Sequence, residues 1–202
     1  MASLWRTYKK KYSSKEGTIV IVDISGFTTL VYNTELNTGR DIILKLLSTI
    51  IEKNRLDLNI SEIEGDAVLF YKFGSPPSHE DILEQFELML NAFIKNLNKI
   101  NITLDCPMEL SLKMIVHHGY IAQYQIGTFR KLYGRTVTEA HFLLKNTVDS
   151  TSYVLMTNDF LKTTGINSKN YNVNNLQCDI LRGIKKLCYR FYDYSPKIVL
   201  TP

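Results

Sequence analysis

One seven-residue run constrains the fold of this chain more than any other feature. Residues 17–23, GTIVIVD, are almost all apolar or β-branched, and the run ends in an acidic residue. A short apolar run of this kind, rich in valine and isoleucine, is typical of a buried β-strand. The chain is therefore expected to contain a sheet, and the elements that follow indicate how that sheet is covered.

The rest of the chain alternates predicted strands with amphipathic helices. Apolar residues recur at helical spacing in 39–53 and in 80–99. Residues 57–73 predict a hairpin that turns at Gly65-Asp66. Further predicted elements are strands at 110–118 and 120–126 hinged at Gly119, a helix at 135–147, a strand at 152–156, a short helix near 158–163 and a hairpin from Cys178 to Tyr194. The order βαββαββαβ, with later additions, fits an α+β fold in which helices pack on one face of an antiparallel sheet.

The length and composition indicate a single globular domain. The chain has 202 residues, of which 45% are hydrophobic, so intrinsic disorder is not expected. The net charge of +4 is too small to predict nucleic-acid binding. Much of the positive charge lies near the start, at Arg6, Lys9, Lys10, Lys11 and Lys15. Residues 1–16 are expected to form a basic arm, solvated or directed at a phosphate surface, and residues 17–202 the domain.

Cysteine usage and hydropathy bear on the compartment. Cys106, Cys178 and Cys188 contain no C-x-x-C pair, so we expect reduced thiols rather than a disulfide framework or a zinc site. No apolar run reaches the ~18 residues that a membrane span needs. The first residues lack the apolar core of a signal peptide. The expectation is a free-standing cytoplasmic protein with no membrane partner.

Four separated segments resemble, in the same order, the class III adenylyl/guanylyl cyclase domain. They are IVIVDISGFTTL (19–30), EIEGDAVLFYKFG (62–74), LKMIVHHGYIAQYQIG (112–127) and YGRTVTEAHFLL (133–144), with a weaker fifth segment, LRGIKK (181–186). The resemblance covers roughly residues 17–192. It implies a ferredoxin-like cyclase homology domain that acts on a nucleoside triphosphate at a homodimer interface. One protomer would give the metal carboxylates and the other the ribose and transition-state groups.

Two aspartates are the candidate metal ligands. Asp23 ends an apolar strand and Asp66 lies at a hairpin turn, so the two carboxylates meet at one sheet edge if the strands are neighbours. The resemblance implies that they bind two Mg²⁺ or Mn²⁺ ions, with a further ligand from the backbone carbonyl of Ile24. Hard oxygen ligands of this kind suit Mg²⁺. The alternative is that Asp23 caps the following helix and Asp66 is only a turn residue.

Two further positions bear on base recognition. The residues that select the base in the family correspond here to Glu62 and Lys131, which reverse the charges of the adenine-binding pair. A carboxylate only accepts hydrogen bonds and an ammonium only donates them. Guanine and uracil offer a ring N–H beside a carbonyl, whereas adenine and cytosine offer the opposite pattern. The pair therefore favours GTP or UTP, unless Glu62 and Lys131 form only a surface salt bridge.

The fourth segment, which corresponds to the catalytic helix of the cyclase family, differs from the family pattern at two positions. Thr138 stands where the family has Asn, and Phe142 stands where it has Arg, so a donor to the ribose and a transition-state cation are replaced. Removing one such donor typically costs about 10²–10³ in rate. Thr138, His141 and Lys145 lie along one helical stripe. They and Arg135 are the candidate catalytic residues.

The resemblance also implies triphosphate-binding residues. They are Gly26, Phe27 and Thr28 after the first strand, and Lys185 or Lys186 in the last hairpin. A solvated hairpin turn explains the two lysines equally well. His117 and His118 lie in a predicted strand and are expected to be structural.

The sequence thus leaves two functions open. The first is a homodimeric nucleotidyl cyclase that makes a 3′,5′-cyclic nucleotide and pyrophosphate, similar in size to the small bacterial pyrimidine cyclases of anti-phage defence. The second is a catalytically silent cyclase-homology dimer, which Thr138 and Phe142 favour and the pair of aspartates disfavours. The Gly-Gly-Asp/Glu-Glu-Phe signature of diguanylate cyclases is absent.

Overall fold

The computed structural model describes residues 14–104, 107–165 and 176–195. Most of the predicted basic arm therefore lies outside the described residues. The strands are β1 Lys15–Ser25, β2 Asn59–Glu64, β3 Ala67–Phe73, β4 Ser111–Ile126, β5 Phe129–Tyr133, β6 Tyr153–Thr157, β7 Leu176–Leu181 and β8 Lys185–Asp193. The helices are α1 Phe27–Asn33, α2 Leu36–Glu52, α3 His79–Leu104, α4 Arg135–Phe142, which a 3₁₀ turn at Leu143–Lys145 continues, and α5 Asn158–Thr163.

All eight strands belong to one sheet. Its order is β2-β3-β1-β4-β6-β8-β7, and β5 pairs with the far end of β4. The predicted antiparallel pairing is confirmed except between β4 and β6, which run parallel with Lys113 opposite Tyr153. A parallel pair needs a crossover connection, and α4 lies within it. The α+β fold class is confirmed.

The sheet is covered on both faces, so the expectation of helices on one face only is wrong. Val20 and Val22 point to α2 and α3, and this side is called the helical face. Ile19 and Ile21 point the opposite way, toward the core that contains α4, and this side is called the cleft face. Successive residues of a strand alternate between faces, so the apolar run of β1 is buried on both.

The long helices of the helical face begin and end where local chemistry dictates. Glu35 caps α2, because its carboxylate accepts the amides of Asn37 and Thr38 at 3.0 Å. The first turn of α3 carries Glu80 and Asp81, which favour the positive end of the helix dipole. Both helices are amphipathic. No helix in the described ranges combines the length and the apolar character that crossing a membrane requires.

The predicted hinge at Gly119 is wrong, because β4 runs unbroken from Ser111 to Ile126. The reason for the glycine is packing. A Cβ at this position would lie 2.6 Å from the hydroxyl oxygen of Thr136 on α4, far closer than a carbon contact allows. Gly119 therefore lets α4 approach the sheet, and the strand beyond it pairs with the unpredicted strand β5.

The expectation of reduced thiols is wrong for two of the three cysteines. Cys178 and Cys188 lie directly opposite each other in the β7–β8 ladder and form a disulfide. Spacing alone did not indicate it, because the pairing depends on the register of a hairpin. Cys106 lies outside the described residues.

Candidate active site

Two acidic side chains lie at one end of the sheet, on neighbouring elements. Asp23, near the end of β1, is opposite Ala67 at the start of β3. Asp66 precedes Ala67 in the turn with Gly65, whose φ of 60° is in the left-handed region that glycine adopts readily. The backbone amide of Ile24 donates to the carbonyl oxygen of Asp66 at 3.2 Å. The structure thus brings the two sequence-predicted aspartates together.

The electrostatics of this turn suit a cation. Burial raises the pKa of the Asp66 carboxyl, and the negative charge of Asp23 raises it further, while Lys113 lowers it. Two neighbouring carboxylates of this kind also offer the hard oxygen ligands that a divalent metal ion prefers. The alternative that Asp23 caps the next helix does not hold, because Gly26 is the N-cap of α1 and no side chain caps it.

Lys113 is a member of this site that sequence reasoning missed. It lies opposite Asp23 in the β1–β4 ladder, and its Nζ is 2.9 Å from Asp23 Oδ2. The same Nζ donates to the carbonyl oxygen of Leu144 at 3.4 Å. The signal was present in the LKMIVHHG segment, but only the register of the two strands shows that Lys113 faces Asp23. It supplies the positive charge beside this carboxylate, which lies mostly buried.

An open cleft of about 730 Å³ extends from the two aspartates along the cleft face. Its polar and apolar lining includes Asp23, Glu62 and Asp66 from the sheet, Thr138, His141 and Lys145 from α4 and its 3₁₀ turn, and Leu181, Arg182 and Ile184 from the β7–β8 hairpin. The helical stripe that the sequence predicted therefore faces the same space as the candidate metal ligands.

The two positions where the chain departs from the class III cyclase pattern, Thr138 and Phe142, both line this cleft. Thr138 is exposed, and its hydroxyl donates to the carbonyl oxygen of Gly134 at 3.3 Å. Phe142 lines the cleft and also packs against the core of the cleft face. An aromatic ring thus occupies the position where a cation was expected.

Glu62 and Lys131, the candidate base-selecting residues, are joined by an ion pair. The Nζ of Lys131 on β5 donates to Oε2 of Glu62 on β2. The hydrogen bond and the charge of Glu62 raise the pKa of Lys131. The side chain of Lys131 is 41% exposed and that of Glu62 is 25% exposed. Glu62 lines the cleft, so the pair lies at its edge within reach of solvent.

The predicted triphosphate segment after β1 is split between core and surface. Gly26 borders a smaller cavity of about 330 Å³ on the other side of α1. Phe27 packs against the core of the helical face, and Thr28 is exposed. The side chain of Ile24 is buried, which leaves only its backbone carbonyl as a possible ligand.

The remaining predicted cations lie outside the main cleft. Arg135 and Lys185 line a neighbouring cavity of about 740 Å³, which shares Thr138 with the main cleft. Lys186 lines a smaller cavity with Thr157. The last hairpin instead presents Arg182 to the main cleft. This residue has a φ of 44° at the turn before a glycine, and sequence reasoning had quoted its segment without selecting it.

A second group of titratable residues lies beside α4, with His117 and Glu139 buried and Asp159 partly exposed. His117, Glu139 and Asp159 offer ligand atoms within 4.8 Å of one another. Lys185 already lies among them, with its Nζ 2.8 Å from Glu139 Oε2 and 3.4 Å from Asp159 Oδ2. The ammonium group of Lys185 bridges both carboxylates of this group, whereas the ion pair of Lys113 at the cleft is with Oδ2 of Asp23. We therefore interpret the second group as an ion-pair network. The candidate metal site of the chain remains at Asp23 and Asp66.

Comparison with solved structures agrees with the fold. The adenylyl cyclase CyaB from P. aeruginosa matches with a TM-score of 0.69 at 18% identity, over 91% of this chain and 96% of that chain. The guanylyl cyclase Cya2 matches at 0.63 and 17%, over 94% and 98%. The guanylate cyclase domain of RhGC from Catenaria anguillulae, solved in complex with GTP, matches at 0.61 and 17%, over 90% and 97%. The chain therefore shares the fold of these cyclase domains.

The family of the chain follows from its sequence. Residues 43–153 match the model of a family described as protein of unknown function, DUF2652, and the chain belongs to that family. No curated protein matches the chain. The cyclase likeness thus rests on the shared fold, and the chemistry has to be argued from the residues in the cleft.

Proposed function

We propose that this protein is a nucleotidyl cyclase, which converts a nucleoside triphosphate to a 3′,5′-cyclic nucleotide and pyrophosphate. The observation that carries the proposal is the pair Asp23 and Asp66, held together at the mouth of a cleft that the α4 stripe also lines. A domain that only binds a partner has no need of two adjacent carboxylates in which one has its pKa raised by the other.

The chemistry assigns distinct tasks to the residues of the cleft. In the reaction the ribose 3′-oxygen bonds to the α-phosphorus, the bond to the β-phosphate breaks, and the hydroxyl proton leaves to solvent. Two Mg²⁺ or Mn²⁺ ions at Asp23, Asp66 and the Ile24 carbonyl would activate the 3′-hydroxyl and neutralise the triphosphate. Lys113, 2.9 Å from Asp23, adds a positive charge next to the carboxylate at the edge of the site.

Positive charge for the phosphates comes from more than one element. Arg182 from the β7–β8 turn and Lys145 after α4 both line the cleft, and a developing charge on phosphate oxygens is stabilised by such groups. Thr138 keeps a hydroxyl that can orient the ribose. Because Phe142 supplies no charge, we expect slower turnover than an arginine at that position would allow.

Glu62 and Lys131 give the proposal its substrate class. A base with a ring N–H beside a carbonyl can donate to Glu62 and accept from Lys131, as guanine and uracil can. Adenine and cytosine place an acceptor toward Glu62 and an amino donor toward Lys131, so neither can make these hydrogen bonds and the pair would stay bound only to itself. GTP and UTP are therefore the proposed substrates.

A homodimer is part of the proposal. The cleft is open on the side away from the sheet, and the β4–β5 hairpin beside it exposes apolar side chains. The exposed fractions are 68% for Ile126, 71% for Phe129 and 70% for Tyr133. Large exposed apolar side chains clustered on one hairpin are typical of a surface that another protein covers. A second copy would bring its own α4 and hairpin to the open side.

The experiment is a direct assay of the full chain. The protein is incubated with each of the four nucleoside triphosphates and Mn²⁺ or Mg²⁺, and the products are identified by mass spectrometry. We expect a cyclic nucleotide from GTP or UTP, pyrophosphate in equal amount, and no product in EDTA. Turnover of all four nucleotides at equal rates would refute the role of Glu62 and Lys131, and no product from any of them would refute the cyclase.

The second candidate is a catalytically silent dimer, which Phe142 favours. Such a protein would bind a nucleotide in the same cleft without converting it. Binding of GTP or UTP by calorimetry, with no product under any metal, would support this candidate over the enzyme.

A further inference from the structure

The carboxylate of Glu139 is buried on the side of α4 away from the main cleft. The residue is 5% exposed and accepts hydrogen bonds from His117 Nε2 at 2.9 Å and from Lys185 Nζ at 2.8 Å. Burial acts to raise the pKa of Glu139, but the two donors outweigh it and hold the pKa below its usual range. Glu139 is therefore ionised at neutral pH and needs a positive partner inside the protein.

Hydrogen-bond accounting identifies Lys185 as that partner. His117 Nδ1 lies 2.8 Å from the hydroxyl of Thr157, and this hydroxyl already accepts the amide of Phe160 at 3.2 Å. If the hydroxyl donates to Nδ1 and Nε2–H donates to Glu139, each polar group has a partner. The charge that balances Glu139 is then the ammonium of Lys185.

The Glu139–Lys185 pair joins the two elements that carry cleft residues. Glu139 follows Thr138 on α4, and Lys185 follows the turn that presents Arg182 and Ile184 to the cleft. Stability alone gives weak reason for such a pair, because Glu139 is removed from water at a cost that offsets much of the attraction, while Lys185 stays 41% exposed and partly screened. A pair of fixed length does, however, set where the hairpin turn lies relative to the helix.

We infer that Lys185 is a positioning residue, which holds the β7–β8 turn against α4 through Glu139 so that Arg182 and Thr138 face the same substrate. The inference rests on the proposed function. It also differs from the sequence-based expectation, in which Lys185 binds the triphosphate itself.

The two roles of Lys185 predict different kinetics. Removing a positioning group leaves the substrate bound but poorly aligned, and a misplacement of about 1 Å can cost about 10²-fold in rate. We expect Lys185→Met to lower kcat by about ten- to a hundredfold, with KM for the accepted nucleotide nearly unchanged. Lys185→Arg, which keeps the charge and can still reach Glu139, should recover most of kcat. Glu139→Gln should resemble Lys185→Met, since it removes the other half of the pair. Lys162→Met, an exposed lysine on the neighbouring helix α5, is the matched control and should behave as wild type.

Each outcome decides between the roles. A raised KM with unchanged kcat in Lys185→Met would overturn the inference in favour of direct triphosphate binding, and unchanged kcat and KM would overturn it altogether.

Hydrogen exchange of the full chain supplies a readout that does not need turnover. In Lys185→Met the amides of residues 135–142 and 181–186 should exchange faster together, while those of α3 stay as in wild type. If the wild type makes no product but these two segments respond together, the cyclase proposal fails and the coupling stands. If the segments do not respond, the coupling itself fails.

Discussion

The two faces of the same sheet differ in the side chains that they present. On the helical face, β1, β3 and β4 present apolar side chains to α2 and α3, with Phe70, Phe86 and Phe93 fully buried. On the cleft face the alternate positions of β1 and β4 combine apolar residues with charged or titratable ones. Ile19 and Ile21 lead to Asp23, and Ile115 is flanked by Lys113 and His117. The helical face thus carries the larger apolar core, and the cleft face carries the candidate site.

The largest expected effect belongs to the aspartates of the cleft face. Asp23→Asn or Asp66→Asn should lower the rate of cyclisation by at least about 10³-fold, because a bound divalent ion contributes several kcal/mol at the transition state. The fold should be kept, since both residues lie at the end of the sheet. Product is measured by mass spectrometry and the fold by circular dichroism.

Asp41→Asn is the control for this prediction. It removes an exposed carboxylate on α2 that pairs with Arg40, and its activity should equal that of wild type. Undiminished product from Asp23→Asn would contradict the metal site. It would also contradict the assignment of the candidate active site to the cleft face.

The next effect is on stability and compares one phenylalanine from each face. Phe86→Ala leaves a cavity in the core of the helical face and should lower the free energy of unfolding by about 3–5 kcal/mol. Phe142→Ala, at the partly exposed wall of the cleft, should lower it by less than about 2 kcal/mol. Urea denaturation measures both. An equal loss would show that the cleft wall is covered in solution, as it would be by a second copy.

A smaller effect is expected at the edge of the cleft. Exchanging the charges with Glu62→Lys and Lys131→Asp together should shift the preference from GTP or UTP toward ATP or CTP by more than about tenfold, because each hydrogen bond to a charged group contributes roughly 1.5–3 kcal/mol. Each single change should harm activity more than the pair does, since it leaves like charges facing each other. The measurement is kcat/KM for all four nucleotides. An unchanged order of preference would leave the pair as a surface salt bridge.

The smallest effect is a pH dependence in which two carboxylates of the cleft face act in opposite directions. The pKa of Asp66 is raised above its ordinary 3.8, so the folded state holds this proton more tightly than the unfolded state. Relative to Asp66→Asn, wild type should lose stability as the pH rises from 3.8 through the raised pKa. The pKa of Glu139 is lowered below its ordinary 4.5. Relative to Glu139→Gln, wild type should keep the contribution of Glu139 above pH 4.5 and lose it as the pH falls through the lowered pKa.

Urea unfolding of the three proteins in EDTA, from ~pH 3 to ~pH 7, measures both differences. Parallel curves for wild type and either variant would show that the carboxyl concerned is not perturbed in the folded state.

The elements that sequence reasoning found are those whose signal is local. The apolar run of β1, the amphipathic patterns of α2 and α3, and the Gly65-Asp66 turn each depend on neighbouring residues only. The short helix α1 and the strand β5 were missed, because seven residues after a glycine and the polar-aromatic FRKLY carry little periodicity. Gly119 was taken for a hinge, since the side chain that requires it, Thr136, is distant in sequence.

The residues of the candidate site show the same distinction between local and non-local signals. Asp23, Asp66 and the stripe of Thr138, His141 and Lys145 follow from motifs and helical spacing. Lys113 and Arg182 do not, because their positions depend on the register of β1 with β4 and on the direction of a hairpin turn. The partner of Lys185 was also beyond sequence reasoning, since Glu139 lies 46 positions away.

The pairing of β1 with β4 has a consequence for how the chain is made. Val20 pairs with Val116, so 96 further residues must be synthesised after Val20 before the centre of the sheet can close. At typical rates of synthesis this leaves one edge of β1 open for roughly 5–20 s. During that interval β3 can cover the other edge, but the open edge is an apolar strand of the kind that recruits foreign strands. A nascent chain halted at residue 104 should therefore aggregate or be held by chaperones, and one halted beyond β4 should stay in solution, which sedimentation of stalled ribosome complexes would measure.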